Sequence, residues 1–275
     1  MKQTAVLALC AATAALAQPI PIVNPGFESD PAPPNFWTIR VPFGWTLHDP
    51  MGIVDQNRDA VGCLNPTNST YFPAGAPQGV HVALLYLEGD RGGGEVGLVQ
   101  QLPRTVAPDT RYTLRVAVGN IASGIAAPPF NFFFDLDGFP GYSMQILAGG
   151  LVVAELRDPV GASIPEGEFR ERELVFDAPA SHPRIGQPIS IRLINLNIAG
   201  TPDAPGIEVD FDNVRLDASP LCPADFDNSG GVDGDDVIAF FGAWDGGLPA
   251  ADVNGDSGVD GDDVIAFFER WDAGC

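Results

Sequence analysis

The chain has 275 residues, of which 45% are hydrophobic and 18% are charged, and it contains 32 Gly and 26 Pro. This composition favours many short strands and turns over long helices. The formal net charge of -22 argues against nucleic acids and anionic membranes as partners, because binding to either needs clusters of basic residues.

The first element of the chain is a predicted secretory signal peptide, residues 1–17. Lys2 is followed by an apolar run from Ala5 to Ala14 and by a small-residue cleavage site that ends at Ala17. The apolar run is too short to span a bilayer as a helix. We therefore expect cleavage near Ala17 and a secreted or surface-associated mature protein without membrane insertion.

The body, residues 18–218, is predicted to consist of short strands. RYTLRVAV (111–118) and ISIRL (189–193) alternate polar and apolar residues, which is typical of half-buried strands. VALLYL (82–87) is apolar throughout and indicates a continuous apolar strand. Such strands between Gly- and Pro-rich turns predict an antiparallel β-sandwich or jelly roll.

Two segments of the body carry finer predictions. YSMQILAGGLVVAEL (142–156) predicts a hairpin that turns at Gly149-Gly150. IEVDFDNVRL (207–216) changes its alternation near Asp212-Asn213, which predicts a β-bulge.

The body resembles the galactose-binding-like jelly rolls of secreted bacterial proteins, which include carbohydrate-binding modules. The resemblance rests on IVNPGFES and PFGWT near the start, VALLYLEGD, GLVQQL and TRYTLRVAVGN in the middle, and VDFDNVRLDA at the end. It implies a recognition domain with polysaccharide as a candidate ligand. In such jelly rolls a calcium ion often ties the first strand to the last. The matching positions are Glu28 and Asp212, with Asn24 or Asp210 as a further candidate ligand. Solvated carboxylates are the alternative for Glu28 and Asp212.

Aromatic side chains are the candidates for contact with a ligand, since flat rings stack on sugar faces. Core packing is the alternative, and it is the expected role of Trp45. The other candidates are Phe36, Trp37, Phe43, Tyr71, Phe72 and the run 130–134.

The tail, residues 219–275, contains an internal repeat, the strongest signal in the sequence. DFDNSGGVDGDDVIAFFGAWD begins at Asp225 and DVNGDSGVDGDDVIAFFERWD begins at Asp252, an offset of 27 residues. Residues 222–275 include 13 acidic residues and one Arg. The natural partner of such dense carboxylates is a hard divalent cation.

Each copy of the repeat fits a twelve-residue EF-hand calcium loop, with oxygen ligands at positions 1, 3, 5, 7, 9 and 12 and a backbone carbonyl at position 7. The first copy supplies Asp225, Asp227, Ser229, Gly231, Asp233 and Asp236. The second copy supplies Asp252, Asn254, Asp256, Gly258, Asp260 and Asp263. Position 6 normally needs glycine for a sharp turn. It is Gly230 in the first copy but Ser257 in the second, which predicts a weaker second site.

An acidic linker exposed to solvent is the alternative to a calcium module. Apolar residues at helical spacing follow each loop and favour the module. They are Val237, Phe240, Phe241 and Trp244 in the first copy and Val264, Phe267, Phe268 and Trp271 in the second.

The tail resembles dockerin type I modules. The two loop-helix units are short and tandem, Asp replaces Glu as the last ligand, and no entering helix fits before Asp225. The resemblance implies calcium-dependent attachment to a cohesin-like or other surface protein. Dockerins often carry small hydroxyl residues at loop positions 10 and 11, where this chain has Gly234-Asp235 and Gly261-Asp262.

Three cysteines follow the signal peptide, and export makes a disulfide possible. Cys222 and Cys275 bracket the acidic tail, so we pair these two and leave Cys63 unpaired.

Catalytic motifs are not evident in the sequence. His48, His81 and His182 share no motif, and no nucleophile elbow, zinc helix or phosphate loop occurs. A glycosidase needs two opposed carboxylates, and nothing selects such a pair. The sequence therefore predicts a non-catalytic binding protein without catalytic residues. A secreted polysaccharide-degrading enzyme with a dockerin and a structural matrix protein are the alternatives.

Overall fold

The computed structural model describes residues 17–55, 57–88, 94–159, 164–198, 206–227, 229 and 231–273. The predicted signal peptide lies outside these residues, except for Ala17, so export stays a prediction. Among the described residues no helix is long and apolar enough to cross a membrane.

The body is built from strands that run antiparallel to their neighbours. They are β1 (Gln18–Ile20), β2 (Phe36–Thr38), β3 (Thr46–His48), β4 (Ala60–Asn65), β5 (Val82–Glu88), β6 (Val96–Thr105), β7 (Thr110–Asn120), β8 (Gly124–Ile125), β9 (Phe133–Phe134), β10 (Tyr142–Ala148), β11 (Leu151–Asp158), β12 (Glu168–Ala178), β13 (Pro188–Asn195) and β14 (Gly206–Pro220).

Two sheets form a sandwich, which confirms the predicted mainly-β fold. Sheet A has the order β12-β7-β14-β5-β4-β2, with β1 paired to β14, and sheet B has the order β11-β10-β13-β6-β3. Alternate residues of both sheets meet in the core between them, such as Leu114 and Val116 from sheet A and Met144 and Ile191 from sheet B. The β8–β9 pair stands apart as a small hairpin.

The finer predictions for the body are confirmed. β10 and β11 form a hairpin whose turn residues Gly149 and Gly150 have positive φ values of 60° and 80°, a conformation that glycine adopts without strain. The pairing of β14 with β7 shifts register between Asp212 and Arg215, which is the expected bulge.

The outer face of sheet A is covered by two connections, residues 66–81 between β4 and β5 and residues 121–141 between β7 and β10. A second apolar cluster lies between them and the sheet, with Leu64 and Leu84 from the sheet and Phe72, Ile121 and Leu136 from the connections. These connections create a buried space on a sheet face that would otherwise be open.

The tail has two helices, α1 (Gly234–Asp245) and α2 (Gly261–Ala273), which confirms the helical spacing of both copies. Phe240 of α1 and Phe267 of α2 occupy the same repeat position, are fully buried and stack with ring centroids 4.3 Å apart. The tail is thus a small helical unit with its own apolar cluster.

The predicted disulfide joins Cys222 to Cys275 and leaves Cys63 unpaired. Cys63 is free and buried, and Cys222 takes part in a disulfide. Cys275 lies outside the described residues, so its pairing with Cys222 stays a prediction.

Candidate active site

A cavity of about 510 Å³ lies between the outer face of sheet A and the two covering connections. Its lining is largely apolar and aromatic, with polar groups at two places, a floor on β14 and a rim where β4 begins and β5 ends. The lining residues are Trp37, Ile39, Asn57, Arg58, Asp59, Ala60, Leu64, Tyr71, Leu84, Tyr86, Glu88, Ile121, Phe134, Leu136 and Glu208.

The floor carries carboxyl side chains because of the alternation of β14. Val209 and Phe211 point into the sandwich core, so Glu208, Asp210 and Asp212 point to the opposite, covered face. Glu208 lies opposite Tyr86 of β5, and Asp210 lies opposite Leu84 of β5 and Gly119 of β7. Three acidic side chains are thereby buried on a central strand of the sheet.

Glu208 and Asp210 form a pair with little other polar support. Oε1 of Glu208 and both carboxyl oxygens of Asp210 are buried and have no other hydrogen-bond partner among the described residues. Two ionised carboxylates cannot hydrogen-bond to each other, whereas a proton on either one allows it. Burial raises the pKa of Glu208 to about 8. Glu208 therefore holds a proton at neutral pH. Burial and the neighbouring Glu208 also raise the pKa of Asp210 well above its ordinary value.

Two phenols flank the pair. Burial, followed by the charge of Glu208, raises the pKa of Tyr71 to about 12, and the Tyr71 hydroxyl has no hydrogen-bond partner among the described residues. Burial and the charges of Glu88 and Glu208 also raise the pKa of Tyr86. Both phenols therefore stay neutral and can donate a hydrogen bond into the cavity.

The rim is held by paired charges. Arg58 forms an ion pair with Glu88. The carboxylate of Asp59 is buried and accepts the backbone N–H groups of Asp55 at 2.7 Å and Glu88 at 2.9 Å. These contacts fix the polar edge of the cavity.

The side walls are aromatic. Trp37 packs edge-on against Phe134 at a centroid distance of 5.4 Å and stacks on Phe130 at 5.8 Å. The segment 130–134, predicted from the sequence as a candidate for ligand contact, includes Phe130, Phe132 and Phe134. Phe130 and Phe132 are about half exposed. Of the candidate aromatic residues, Trp37, Tyr71 and Phe134 line the cavity, whereas Trp45 is buried in the core as expected.

The predicted calcium position at Glu28 and Asp212 lies next to this floor. Asp212 is fully buried and accepts the N–H groups of Gln78 and Asn213, each at 2.6 Å. Glu28 accepts the N–H groups of Val80 and His81 and contacts His81 Nδ1 at 2.8 Å. Burial and the nearby charge of Glu28 raise the pKa of Asp212 to about 7. Calcium at this position stays a prediction.

The first predicted calcium loop brings three of its carboxylates together. Ligand oxygens of Asp225, Asp227 and Asp236 lie within 4.8 Å of one another. Asp236 is fully buried and accepts the N–H groups of Asp227 at 3.0 Å and Asp233 at 2.8 Å. This set of oxygen donors fits the chemistry of calcium.

The second loop repeats part of this geometry. Asp263 is buried and accepts the N–H groups of Asn254 at 3.1 Å and Asp260 at 2.8 Å, as Asp236 does in the first loop. Asp252 instead turns both of its oxygens to backbone N–H groups, including that of Ser257 at 2.9 Å. Ser257 has a φ of 74°, the left-handed conformation that made glycine the expected residue. Calcium binding at both loops stays a prediction.

Glu208 was not predicted from the sequence, and Asp210 was considered only as a further calcium ligand. A signal was present: the acids of EVDFD alternate with apolar residues on one strand, and the continuous apolar run VALLYL is typical of a strand with both faces buried. The pairing of these two strands was not visible in the sequence, so the acids were not recognised as buried.

Comparisons with known proteins agree with a catalytic role for this body. The HpiC1-like family model, described as HpiC1 cyclase, matches residues 18–217. One similar solved structure is that of the Stig cyclase Fisc from Fischerella sp. TAU in complex with (3Z)-3-(1-methyl-2-pyrrolidinylidene)-3H-indole. The two sequences are 38% identical, the TM-score is 0.63, and the match covers 74% of this chain and 99% of that chain. No match to a curated protein reaches significance.

Two further solved structures are similar over the same region. An apo cyclase from Fischerella sp. is 36% identical, with a TM-score of 0.63 and coverage of 74% of this chain and 97% of that one. A cyclase from Fischerella sp. TAU in complex with 4-(1H-indol-3-yl)butan-2-one is 38% identical, with a TM-score of 0.61 and coverage of 74% and 98%.

These relatives overturn the function predicted from the sequence. The predictions of a non-catalytic binding protein and of a chain that is not an enzyme are wrong, because the similar solved structures are cyclases. The physical reason is that the catalytic candidates are buried carboxyl groups on a strand, which no catalytic motif marks. The family match ends before the tail, so it does not extend to the dockerin-like repeat.

The match over residues 18–217 spans well over half of the sequence. On this evidence the chain belongs to the HpiC1-like family of cyclases.

Proposed function

We propose that the body is an acid-catalysed cyclase whose active site is the cavity on the outer face of sheet A. The single observation that carries this proposal is the buried carboxyl pair of Glu208 and Asp210 at the floor of an aromatic cavity. A carboxylic acid that stays protonated at neutral pH is suited to donate a proton to a substrate.

In this proposal Glu208 is the proton donor, because it lines the cavity directly. Its O–H bond breaks as a new bond forms between the proton and the substrate. After the ring closes, the cationic intermediate loses a proton to the Glu208 carboxylate, so the product is an isomer of the substrate and Glu208 is protonated again. Asp210 lies behind it, and a hydrogen bond between the two carboxyl groups limits the build-up of charge on Glu208. The apolar walls exclude water, which would otherwise capture a cationic intermediate, and the rings of Trp37 and Phe134 stabilise positive charge through their faces.

The substrate class follows from the relatives and from the shape of the cavity. Two of the similar cyclases were solved with indole compounds. A cavity of about 510 Å³ with aromatic walls accommodates a ligand of that size. We therefore propose an indole that carries an alkene side chain as the substrate and its cyclised isomer as the product.

The test is conversion of a 3-alkenyl indole by the full chain, followed by mass-resolved chromatography. Glu208→Gln keeps the shape of the side chain but cannot donate the proton, so we expect the rate to fall by about 100-fold or more. Glu173→Gln removes an exposed carboxylate elsewhere on sheet A and is the control, with an unchanged rate. Equal rates for wild type and Glu208→Gln would refute the role of Glu208.

We further propose that the tail is a calcium-binding attachment unit of the dockerin kind. Support comes from the clustered oxygens of Asp225, Asp227 and Asp236 and from the repeated capping by Asp236 and Asp263. A bound calcium would offset the mutual repulsion of these carboxylates and fix the loop. Ile238 and Ile265 occupy the same repeat position and are 72% and 59% exposed, which offers a cohesin-like or other surface protein two equivalent apolar contacts. In this proposal the enzyme is exported and held at a surface.

A further inference from the structure

The second loop of the tail contains the one Asn-Gly sequence of the chain, at Asn254-Gly255. Both residues are exposed. In such a pair the backbone nitrogen of the glycine can attack the side-chain amide of the asparagine, because glycine has no Cβ to obstruct the approach. Apart from its chain neighbours, no described atom lies within 4 Å of a Cβ added at Gly255. The dipeptide is therefore open to solvent on this side.

The carboxylate of Asp252 is placed to act as a base on the nitrogen of Gly255. Oδ1 of Asp252 accepts the N–H of Gly255 at 2.8 Å. A backbone amide is a poor nucleophile while it keeps its proton, and a carboxylate at hydrogen-bond distance can accept that proton as the nitrogen attacks. The structure thus supplies an activated nucleophile next to the side chain of Asn254.

The side-chain amide of Asn254 is held by Asp256. The backbone N–H of Asp256 donates to Oδ1 of Asn254 at 2.8 Å. This donor polarises the amide carbonyl and stabilises the negative charge that develops on Oδ1 when Cγ is attacked. Nδ2 of Asn254, the nitrogen that would leave, donates to Oδ2 of Asp256 at 3.3 Å. The loop therefore positions the electrophile as well as the nucleophile.

We propose that Asn254 is a site of self-modification, at which the loop converts this asparagine to aspartate and isoaspartate. The nitrogen of Gly255 bonds to Cγ of Asn254, its proton passes through Asp252 to the departing Nδ2, and ammonia leaves as a succinimide ring forms. Water then opens the ring. Cleavage of the Cγ–N bond gives aspartate, and cleavage of the backbone C–N bond gives isoaspartate, in which the chain continues through Cγ.

The two products change the loop in different ways. Aspartate adds one negative charge and repeats the residue of the first copy, where Asp227 occupies the same repeat position and lies close to Asp225 and Asp236. Isoaspartate lengthens the backbone by one carbon and displaces the residues that follow. Any effect of these changes on calcium rests on the proposed calcium unit, whereas the modification itself goes beyond it.

The experiment is peptide mass spectrometry on the full chain after incubation at neutral pH with excess chelator, so that the result does not depend on calcium. Conversion is read from the mass change of amide to acid, and chromatography separates the two products. Asn131 is the internal reference, because it is also exposed but is followed by Phe132. We expect Asn254 to be converted at least about tenfold faster than Asn131.

Three variants locate the chemistry. Asp252→Asn keeps an oxygen acceptor for the N–H of Gly255 but removes the base, so conversion should slow by about tenfold or more. Gly255→Ala places a Cβ beside the attacking nitrogen and should also slow conversion. Asp262→Ala removes an exposed carboxylate from the first turn of α2 and is the control, with an unchanged rate.

Conversion of Asn254 that is no faster than that of Asn131 would overturn the proposal. So would a wild-type rate in Asp252→Asn or Gly255→Ala, or a rate in Asp262→Ala that falls as far as in Asp252→Asn. The result is separate from that of a calcium titration. A chain that converts Asn254 but binds no calcium would refute the calcium unit alone, and a chain that binds calcium but keeps Asn254 intact in chelator would refute this proposal alone.

Discussion

Glu208 and Asp210 show how a strand position determines the chemistry of a side chain. Both lie on the covered face of β14, between the neighbouring strands β5 and β7, where little water reaches them. Burial raises the pKa of Glu208 to about 8 from an ordinary value of 4.5. The same residue on an exposed edge strand would be an ordinary carboxylate.

Glu208 should also make the stability of the protein depend on pH. In the unfolded chain it loses its proton near pH 4.5, whereas in the folded chain it keeps the proton up to about pH 8. Between these values the folded state binds more protons, so the contribution of Glu208 to stability falls as the pH rises. We expect the free energy of unfolding of Glu208→Gln, relative to wild type, to rise by about 1 to 3 kcal/mol from pH 5 to pH 8.

Urea unfolding at both pH values measures this difference. Glu173→Gln, which removes an exposed carboxylate, should show the same offset from wild type at pH 5 and pH 8. An offset for Glu208→Gln that does not change with pH would contradict the burial of a protonated Glu208.

At the scale of elements, the cavity depends on a close approach between β2 and β4. A Cβ added at Gly62 of β4 would lie 1.9 Å from the carbonyl oxygen of Thr38 in β2. Real atoms cannot approach so closely, so a side chain at this position would push β2 away from the sheet. Trp37, which lines the cavity, belongs to β2 and would move with it.

Gly62→Ala should therefore lower stability by about 2 kcal/mol or more and reduce binding of indole ligands. Gly242→Ala is the matched control, because a Cβ at that helical position meets nothing within 4 Å. It should be neutral or stabilise by up to about 1 kcal/mol, since alanine is the better helix former. Thermal unfolding of the two variants gives the comparison, and a Gly62→Ala variant as stable as wild type would contradict this account of β2.

Much of the element structure was predictable from the sequence, because it depends on local patterns. Three predictions depend on only a few neighbouring residues, and each is confirmed. They are the strand in RYTLRVAV, the turn at Gly149-Gly150 and the bulge near Asp212. The cavity was not predictable in this way. The cavity forms only because two connections, which contain Tyr71 and Leu136 and are distant in sequence, fold over β14. No local sequence pattern encodes that packing.

At the scale of the whole molecule, the tail adds a predicted calcium requirement. We expect the two loops of the tail to bind two calcium ions, which titration calorimetry on the full chain measures. Asp225→Ala should remove the first site, because it deletes a member of the clustered carboxylates, and Asp252→Ala should remove the second. Ser257→Gly should tighten the second site, because glycine relieves the positive φ of 74°.

The same titration can contradict the calcium prediction, because it counts the calcium ions bound per chain. Binding of fewer than one calcium ion per chain, or an Asp225→Ala variant that binds as many ions as wild type, would refute it.

The central claim is that Glu208 in its protonated form is the acid of a cyclase, and the most direct test is the pH dependence of kcat/KM for a 3-alkenyl indole. The rate should be constant below neutral pH and fall as the pH rises through about 8, where Glu208 loses its proton. Glu208→Gln should be slower at every pH and should not show this fall. A wild-type rate that rises through this range, or a Glu208→Gln variant with the wild-type profile, would contradict the account.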